Sequence, residues 1–257
     1  RKTRFAFISN GAKRTISAFL NLKDTVNMKI LSVDTSAVCA SVAVTEGERI
    51  ISLCSTNAGL THSRTLLPMI DSALKNSETE LSDIDFFACS AGPGSFTGIR
   101  IGIAAVKGLA DGTGKKCLSV STLEALAYNL LGQDVIACSV MDARCNQVYC
   151  AIFDVCENEV KRLTEDEAIK IDDLKEKLSG FKKKIVFVGD GAEICEKALG
   201  YHAAAALTRF QNGASVGICA FRNFSEEKLL SAAELMPVYL RLPQAERELR
   251  AKKLNNK

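Results

Sequence analysis

The stretch Cys89–Ala110, CSAGPGSFTGIRIGIAAVKGLA, combines the end of an apolar strand, a glycine-rich turn and a helix with few polar residues. Gly92, Gly94 and Gly98 lack the spacing of a dinucleotide fingerprint, and no lysine follows them as in a P-loop. Gly-Pro-Gly-Ser at the start of a helix nevertheless directs free backbone N–H groups and the positive end of the helix dipole to one point. The turn therefore fits either an anion site or a tight connection capped by Ser95.

The helix that follows this turn is apolar on two sides. One side carries Ile99, Ile103, Val106 and Ala110, and the other carries Ile101, Ala105 and Leu109. Such a helix must be covered on both sides. We expect the sheet of its own domain to cover one side, and a neighbouring helix or a partner protein to cover the other. A second helix, predicted over about residues 62–76, is the natural neighbour.

The order of predicted elements repeats along the chain. An antiparallel meander over residues 29–56 is followed by a helix, a buried strand and another helix, and the same order begins again after Gly132. This predicts an α/β fold of two similar domains, each built on a mixed sheet. The predicted ranges are an N-terminal extension outside the fold (1–27), two domains (28–131 and 132–236) and a C-terminal tail or helix (237–257). The last part of the second domain, from residue 214 to Met236, is predicted to be helical.

Charge and cysteine content argue against a nucleic-acid-binding protein, a disulfide-bonded protein and a structural zinc protein. The first 27 residues hold six of the 33 basic residues and one of the 30 acidic residues, so the remainder has a net charge of −2 and does not favour broad nucleic-acid binding. This basic segment is either extra upstream sequence or a transit peptide. The ten cysteines include no C-x-x-C pair and there are two histidines, which favours buried thiols in a reducing cytoplasm over disulfides or a zinc site. No apolar run is long enough to cross a membrane.

Polar turns at equivalent places in the two halves predict a nucleotide site, weak or vestigial. An acid with hydroxyls at the end of a strand suits a phosphate and hydrated magnesium, although such residues are also ordinary turn formers. The predicted site residues are Asp34, Thr35, Ser36, Gly92, Gly94, Asp142, Arg144, Gly189, Asp190 and Gly191.

Seven segments, in chain order, are similar to one known family over residues 28–241. They are MKILSVDTSAVCASVAV, THSRTLLPMID, AGPGSFTGIRIG, KGLADG, STLEALA, MDARCNQVY and PVYLR. The chain resembles the TsaB family, also called YeaZ. The resemblance implies the actin-like, sugar-kinase and Hsp70-type ATPase (ASKHA) fold. It also implies a catalytically silent relative of TsaD, which works with TsaD and TsaE to place threonylcarbamoyladenosine beside the anticodon of tRNA.

The resemblance also implies how the chain meets its partners and what it lacks. TsaD carries metal-binding histidines where this chain has Thr122 and Leu126, neither of which replaces an imidazole ligand. We therefore expect no metal, no catalytic residue and no cofactor of the chain's own. ATP or ADP and magnesium would be bound in the complex, which would also hold the tRNA. TsaD or a second copy of the chain would contact the two helices. The expected interface residues are His62, Leu66, Met69, Ile70, Ala73, Ile99, Arg100, Ile103, Val106 and Lys107.

Two other functions stay open from the residues alone. A small ATPase or sugar kinase of the same fold would use Asp34, Asp142 and the turn 189–191. A peptidase would need a nucleophile or a metal; His62 beside Ser63 has no third member, and capping of the helix is the simpler role for this pair.

Overall fold

The computed structural model describes residues 27–241 of the 257-residue chain. The predicted N-terminal extension, except for Asn27, and the part of the predicted tail beyond Arg241 lie outside the described residues. No helix within the described part of the chain is long and apolar enough to cross a membrane.

The first sheet has five strands in the order β3-β2-β1-β4-β5. β1 pairs antiparallel with β2 and parallel with β4, and β2 pairs antiparallel with β3, so the predicted meander is confirmed. β4 is buried along its whole length because helices cover both faces of the sheet. The strands are β1 (Lys29–Asp34), β2 (Ala40–Glu46), β3 (Arg49–Thr56), β4 (Phe86–Gly92) and β5 (Lys116–Ser121).

The second sheet repeats this arrangement with its strands in the order β11-β10-β6-β7-β8, and β9 also pairs with β7. β6 pairs antiparallel with β7 and parallel with β10, as β1 does with β2 and β4. The predicted third strand of this half is divided into two short strands. The strands are β6 (Val135–Asp142), β7 (Gln147–Val155), β8 (Val160–Arg162), β9 (Glu167–Lys170), β10 (Ile185–Val188) and β11 (His202–Ala203). Two sheets of the same order confirm the predicted fold class.

Helices cover the two sheets and agree with the apolar periodicity through residue 222. The predicted helix up to Met236 is wrong: α7 ends at Arg222, and Leu230 instead exchanges two backbone hydrogen bonds of 2.8 Å with Cys117 of β5. That pairing requires extended backbone. The helices are α1 (His62–Asn76), α2 (Phe96–Thr113), α3 (Thr122–Tyr128), α4 (Ile171–Leu178), α5 (Ala192–Leu199), α6 (Ala206–Arg209) and α7 (Gly213–Arg222).

Helix α7 follows the second sheet in the chain but packs on the first. Ser32 of β1 donates a hydrogen bond of 2.7 Å to the carbonyl oxygen of Gly213, and a Cβ on Gly217 would lie 2.9 Å from the Ser32 hydroxyl. Glycine therefore permits the close approach of helix and sheet. The predicted division at 131/132 stays a prediction, and the contacts of α7 cross it.

Candidate functional site

A cavity of about 710 Å³ lies between the two sheets, at the carboxyl ends of their central strands. Such a position is where ligands bind in open α/β sheets. The first half contributes the β1–β2 turn, residues 59–62 and the turn 93–98, and the second half contributes residues 141–144 and Asp190. Residues 238–241 complete the lining. Of the predicted nucleotide residues, those that line the cavity are Ser36, Gly94, Asp142, Arg144 and Asp190.

Asp34 faces the protein interior. It is 1% exposed, and its carboxylate accepts hydrogen bonds from the Ser36 amide (2.9 Å), the Ser36 hydroxyl (2.6 Å) and the Ser90 hydroxyl (2.5 Å). Burial raises the pKa of Asp34, and the hydrogen bonds from the two serines oppose that rise. The predicted use of this carboxylate to hold hydrated magnesium does not fit, because its oxygens are already enclosed and bonded.

Thr35 ties the β1–β2 turn to α2. Its hydroxyl donates a hydrogen bond of 2.8 Å to the carbonyl oxygen of Gly98. A Cβ on Gly98 would lie 2.1 Å from the Thr35 carbonyl oxygen, and one on Gly102 would lie 2.4 Å from the Thr35 hydroxyl. Thr35 is therefore a packing residue under the helix, and its hydroxyl is not available to a ligand.

The Gly-Pro-Gly turn is filled by the chain itself. The Ser95 amide donates to the Ser36 carbonyl oxygen at 2.6 Å, and the Ser95 hydroxyl caps α2 by accepting from the Gly98 amide at 3.2 Å. Gly92 has a φ of 131°, and a Cβ there would lie 2.2 Å from the Val238 carbonyl oxygen. Of the two interpretations of this turn, the geometry supports the capped connection, because these donors already have partners.

The equivalent turns of the second half are less enclosed. Asp142 is exposed at the end of β6, and its Oδ1 accepts a hydrogen bond of 2.7 Å from the Arg144 amide. Gly189 and Gly191 pack closely under this strand and do not line the cavity: their amides donate to the carbonyl oxygens of Arg209 and Val140.

Asp190 is the most perturbed carboxyl group that lines the cavity. Burial raises its pKa to about 6, with a smaller contribution from the nearby Asp142 carboxylate. Its Oδ1 is buried, and a hydrogen bond from the Gln211 side chain opposes the rise in its pKa. The sequence marked Asp190 but gave no sign of Gln211, which lies 21 residues further along the chain.

The residues present do not fit a bound nucleotide with magnesium. In the first half, the Asp34 carboxylate and the amides of Ser95 and Gly98 already have hydrogen-bond partners. The acidic side chains that line the cavity belong to the second half. Within residues 27–241, no group of three or more His, Cys, Asp and Glu side chains is placed to hold a metal ion. Thr122 and Leu126 are buried in α3, where Leu126 belongs to an apolar core.

The structure places most of the predicted partner-interface residues in the core. The seven aliphatic members of that prediction lie in the core between α1, α2 and the first sheet, where each is at most 7% exposed. The covered side of each helix faces its own sheet, so these side chains cannot reach another protein in this conformation. They are Leu66, Met69, Ile70, Ala73, Ile99, Ile103 and Val106.

The three polar members of that prediction contact their own chain. The half-buried His62 donates from Nε2 to the Ala37 carbonyl oxygen at 2.6 Å. Arg100 donates from Nε to the Tyr239 hydroxyl at 2.8 Å, and Lys107 donates from Nζ to the Ala233 carbonyl oxygen at 3.3 Å. Residues 233–239 of the C-terminal segment therefore cover one flank of α2. The sequence had indicated only the sheet and a neighbouring helix or partner protein as covers of this helix.

The outward sides of α1 and α2 carry some exposed small and apolar residues beside charged ones such as Arg64 and Asp71. Leu67 of α1 is 59% exposed and Leu60, just before α1, is 49% exposed. Ala104 and Gly108 are exposed on α2. We call these four residues the α1–α2 face.

The duplicated sheets and the cleft between them define a protein of the ASKHA class. Its backbone superposes on YeaZ from Pseudomonas aeruginosa with a TM-score of 0.72 over 83% of this chain and 100% of that one, at 24% identity.

Sequence comparisons give the family. The family of TsaD, tRNA N6-adenosine threonylcarbamoyltransferase, matches residues 56–247. The tRNA threonylcarbamoyladenosine biosynthesis protein TsaB of Escherichia coli is 34% identical over 170 residues, which are 64% of this chain and 72% of that protein. The protein of the same name from Bacillus subtilis is 28% identical over 223 residues, 85% of this chain and 96% of its own. The chain belongs to the TsaB (YeaZ) family.

Proposed function

We propose that the protein takes part in the biosynthesis of threonylcarbamoyladenosine in tRNA as a non-catalytic subunit that binds and activates TsaD together with TsaE. The observation that carries this proposal is its similarity to two TsaB proteins of that pathway, one of which it matches over 96% of that protein's length. The chain would supply contact area, TsaD would supply the transfer chemistry, and tRNA would be held through the complex in the cytoplasm.

The geometry of the first half supports a non-catalytic role. Asp34 is enclosed by Ser36 and Ser90, and the positions that correspond to metal ligands in TsaD hold Thr122 and Leu126. A hydroxyl and an isobutyl group inside a packed helix do not provide a metal site. These features support the interpretation of the Gly-Pro-Gly turn as a relic of an ATPase loop.

The α1–α2 face supports the proposed partner contact. It presents Leu60, Leu67, Ala104 and Gly108, and the single methyl group of Ala104 and the missing Cβ of Gly108 allow another helix to approach closely. Single exposed apolar residues are common, but a group of them on two helices that pack together is a feature of protein interfaces. TsaD occupies this face in the complex, and a second copy of the chain occupies it in isolation.

The test is a binding titration with the TsaD protein of the same organism, measured by calorimetry or sedimentation. We expect Leu67→Glu and Ala104→Glu to weaken binding at least 100-fold each, because each places a charge in an apolar contact. Leu53→Glu is the matched control: Leu53 is 44% exposed on β3, away from the α1–α2 face. Equal binding by all four proteins would overturn the proposed surface.

A stand-alone ATPase or sugar kinase is the alternative function. The exposed Asp142 and the perturbed Asp190 at the cavity are the observations that favour it. We expect no ATP hydrolysis above background by the isolated chain. Steady hydrolysis that Asp142→Ala abolishes would replace the scaffold proposal with this one.

A further inference from the structure

Residues 237–241, PVYLR, cross the mouth of the cavity, and we call them the strap. Just before the strap, Leu235 is completely buried in the core under α1 and α2. Four residues of the strap, 238–241, then line the cavity. The strap therefore leaves the first sheet at a fixed point and passes over the space between the two halves.

Several contacts attach the strap to the first half. The Val238 amide donates to the carbonyl oxygen of Ala91, the penultimate residue of β4, at 2.7 Å. The Tyr239 ring stacks on Phe96 with centroids 4.4 Å apart, and its hydroxyl accepts a hydrogen bond from Arg100. The Arg100 guanidinium lies 4.0 Å from the centre of the Phe96 ring. Stacking, a cation–π contact and two hydrogen bonds hold this end of the strap.

The other end of the strap reaches the second half. Arg241 donates from Nη1 to the Ala143 carbonyl oxygen at 2.9 Å, where the hairpin between β6 and β7 begins. Arg144, Cys145 and Asn146 of this hairpin all have positive φ, a conformation that costs energy for residues other than glycine. The strap is thus attached firmly to the first half through Val238 and Tyr239, and through Arg241 it contacts a strained hairpin of the second half.

We propose that the strap is a latch that holds the two halves together across the cavity and opens at its Arg241 end. When the Arg241 bond to Ala143 breaks, the hairpin moves away from the strap and the wall of the cavity near Met141 becomes accessible to solvent. The firmer contacts of Val238 and Tyr239 keep the strap on the first half. This inference concerns the motion of the chain and does not depend on the proposed function.

Three of the four methionines of the chain allow a direct test by oxidation with dilute hydrogen peroxide, read by mass spectrometry of peptides. Met141 is 2% exposed and lines the cavity, whereas Met69 is 7% exposed in the core and Met236 is 61% exposed. Met141 therefore reports opening of the latch, Met69 reports loosening of the whole core, and Met236 gives the rate of a freely accessible side chain.

We expect Arg241→Ala to raise the oxidation rate of Met141 about tenfold relative to Met236, the change expected on losing one charge-assisted hydrogen bond from a local opening equilibrium. Met69 keeps its rate, and Arg241→Lys, which retains a donor, falls between the parent and Arg241→Ala. An unchanged Met141 rate in Arg241→Ala would overturn the latch. A parallel rise of Met141 and Met69 would also overturn it, since that pattern marks general loss of stability.

Discussion

Asp34 and Asp142 occupy the same place in the two halves, at the end of the central strand of each sheet. Asp34 is buried and accepts three hydrogen bonds from serines, whereas Asp142 is exposed and accepts one from a neighbouring amide. The difference shows that the first half has turned its polar turn into an internal support for α2. The second half keeps its polar groups at the cavity.

The largest expected effect comes from filling the close contact under α2. In Gly98→Ala the new Cβ would lie 2.1 Å from the Thr35 carbonyl oxygen, so either the turn or the helix must move. We expect a loss of about 3 kcal/mol in the free energy of unfolding, measured by urea denaturation.

Two matched glycines sharpen that prediction. A Cβ on Gly191 in the second half would lie 3.1 Å from its nearest atom, so Gly191→Ala should cost only about 1 kcal/mol. Gly108 has open space, and Gly108→Ala should stabilise α2 by up to about 1 kcal/mol. Equal losses at Gly98 and Gly191 would mean that the two turns are packed alike and would break the comparison.

The next largest effect concerns the two aspartates themselves. Asp34→Ala leaves the hydroxyls of Ser36 and Ser90 without their buried acceptor, and we expect a loss of about 2 kcal/mol in the free energy of unfolding. Asp142→Ala removes an exposed carboxylate and should change it by less than about 0.5 kcal/mol. A larger loss at Asp142 than at Asp34, measured by the same denaturation, would reverse the assignment of the supporting half.

A further effect, similar in size to that of Asp34→Ala, is a pH dependence carried by Asp190. Its pKa of about 6 exceeds that of an unfolded aspartate, so the folded state holds a proton that the unfolded state releases. The free energy of unfolding therefore falls as pH rises from about 4 to about 6.

Asp190→Asn removes this dependence. The parent should lose about 2 kcal/mol in the free energy of unfolding from pH 4.5 to pH 7.5 through this group, and the variant should not show this loss. The control Asp111→Asn changes an exposed carboxylate on α2 and should keep the pH dependence of the parent. The same dependence in Asp190→Asn as in the parent would show that this carboxyl is ordinarily hydrated.

Much of the fold follows from local sequence signals. The periodicity over 62–76 predicted α1 correctly, and the repeated order of elements predicted two similar sheets. The enclosure of Asp34 was not predictable, because Ser90 lies 56 residues away and is brought near only by the pairing of β1 with β4.

Most of the predicted interface residues lie in the core for a related reason. An apolar stripe such as that of Leu66 and Ile103 shows that a helix side is covered, but not what covers it. The sheet of the same half covers these apolar stripes, and the C-terminal segment covers the flank of α2 that carries Arg100 and Lys107. The path of that segment has no periodicity, since it depends on single anchors such as Leu235 and Tyr239.

The most direct test of the central claim is reconstitution of the tRNA modification. The chain is combined with TsaD, TsaE, ATP, threonylcarbamoyl adenylate and unmodified tRNA, and the digested nucleosides are analysed by mass spectrometry. We predict that threonylcarbamoyladenosine forms only when the chain is present, that Leu67→Glu abolishes it and that Leu53→Glu does not. Equal product without the chain would contradict the proposal that this protein is a required subunit.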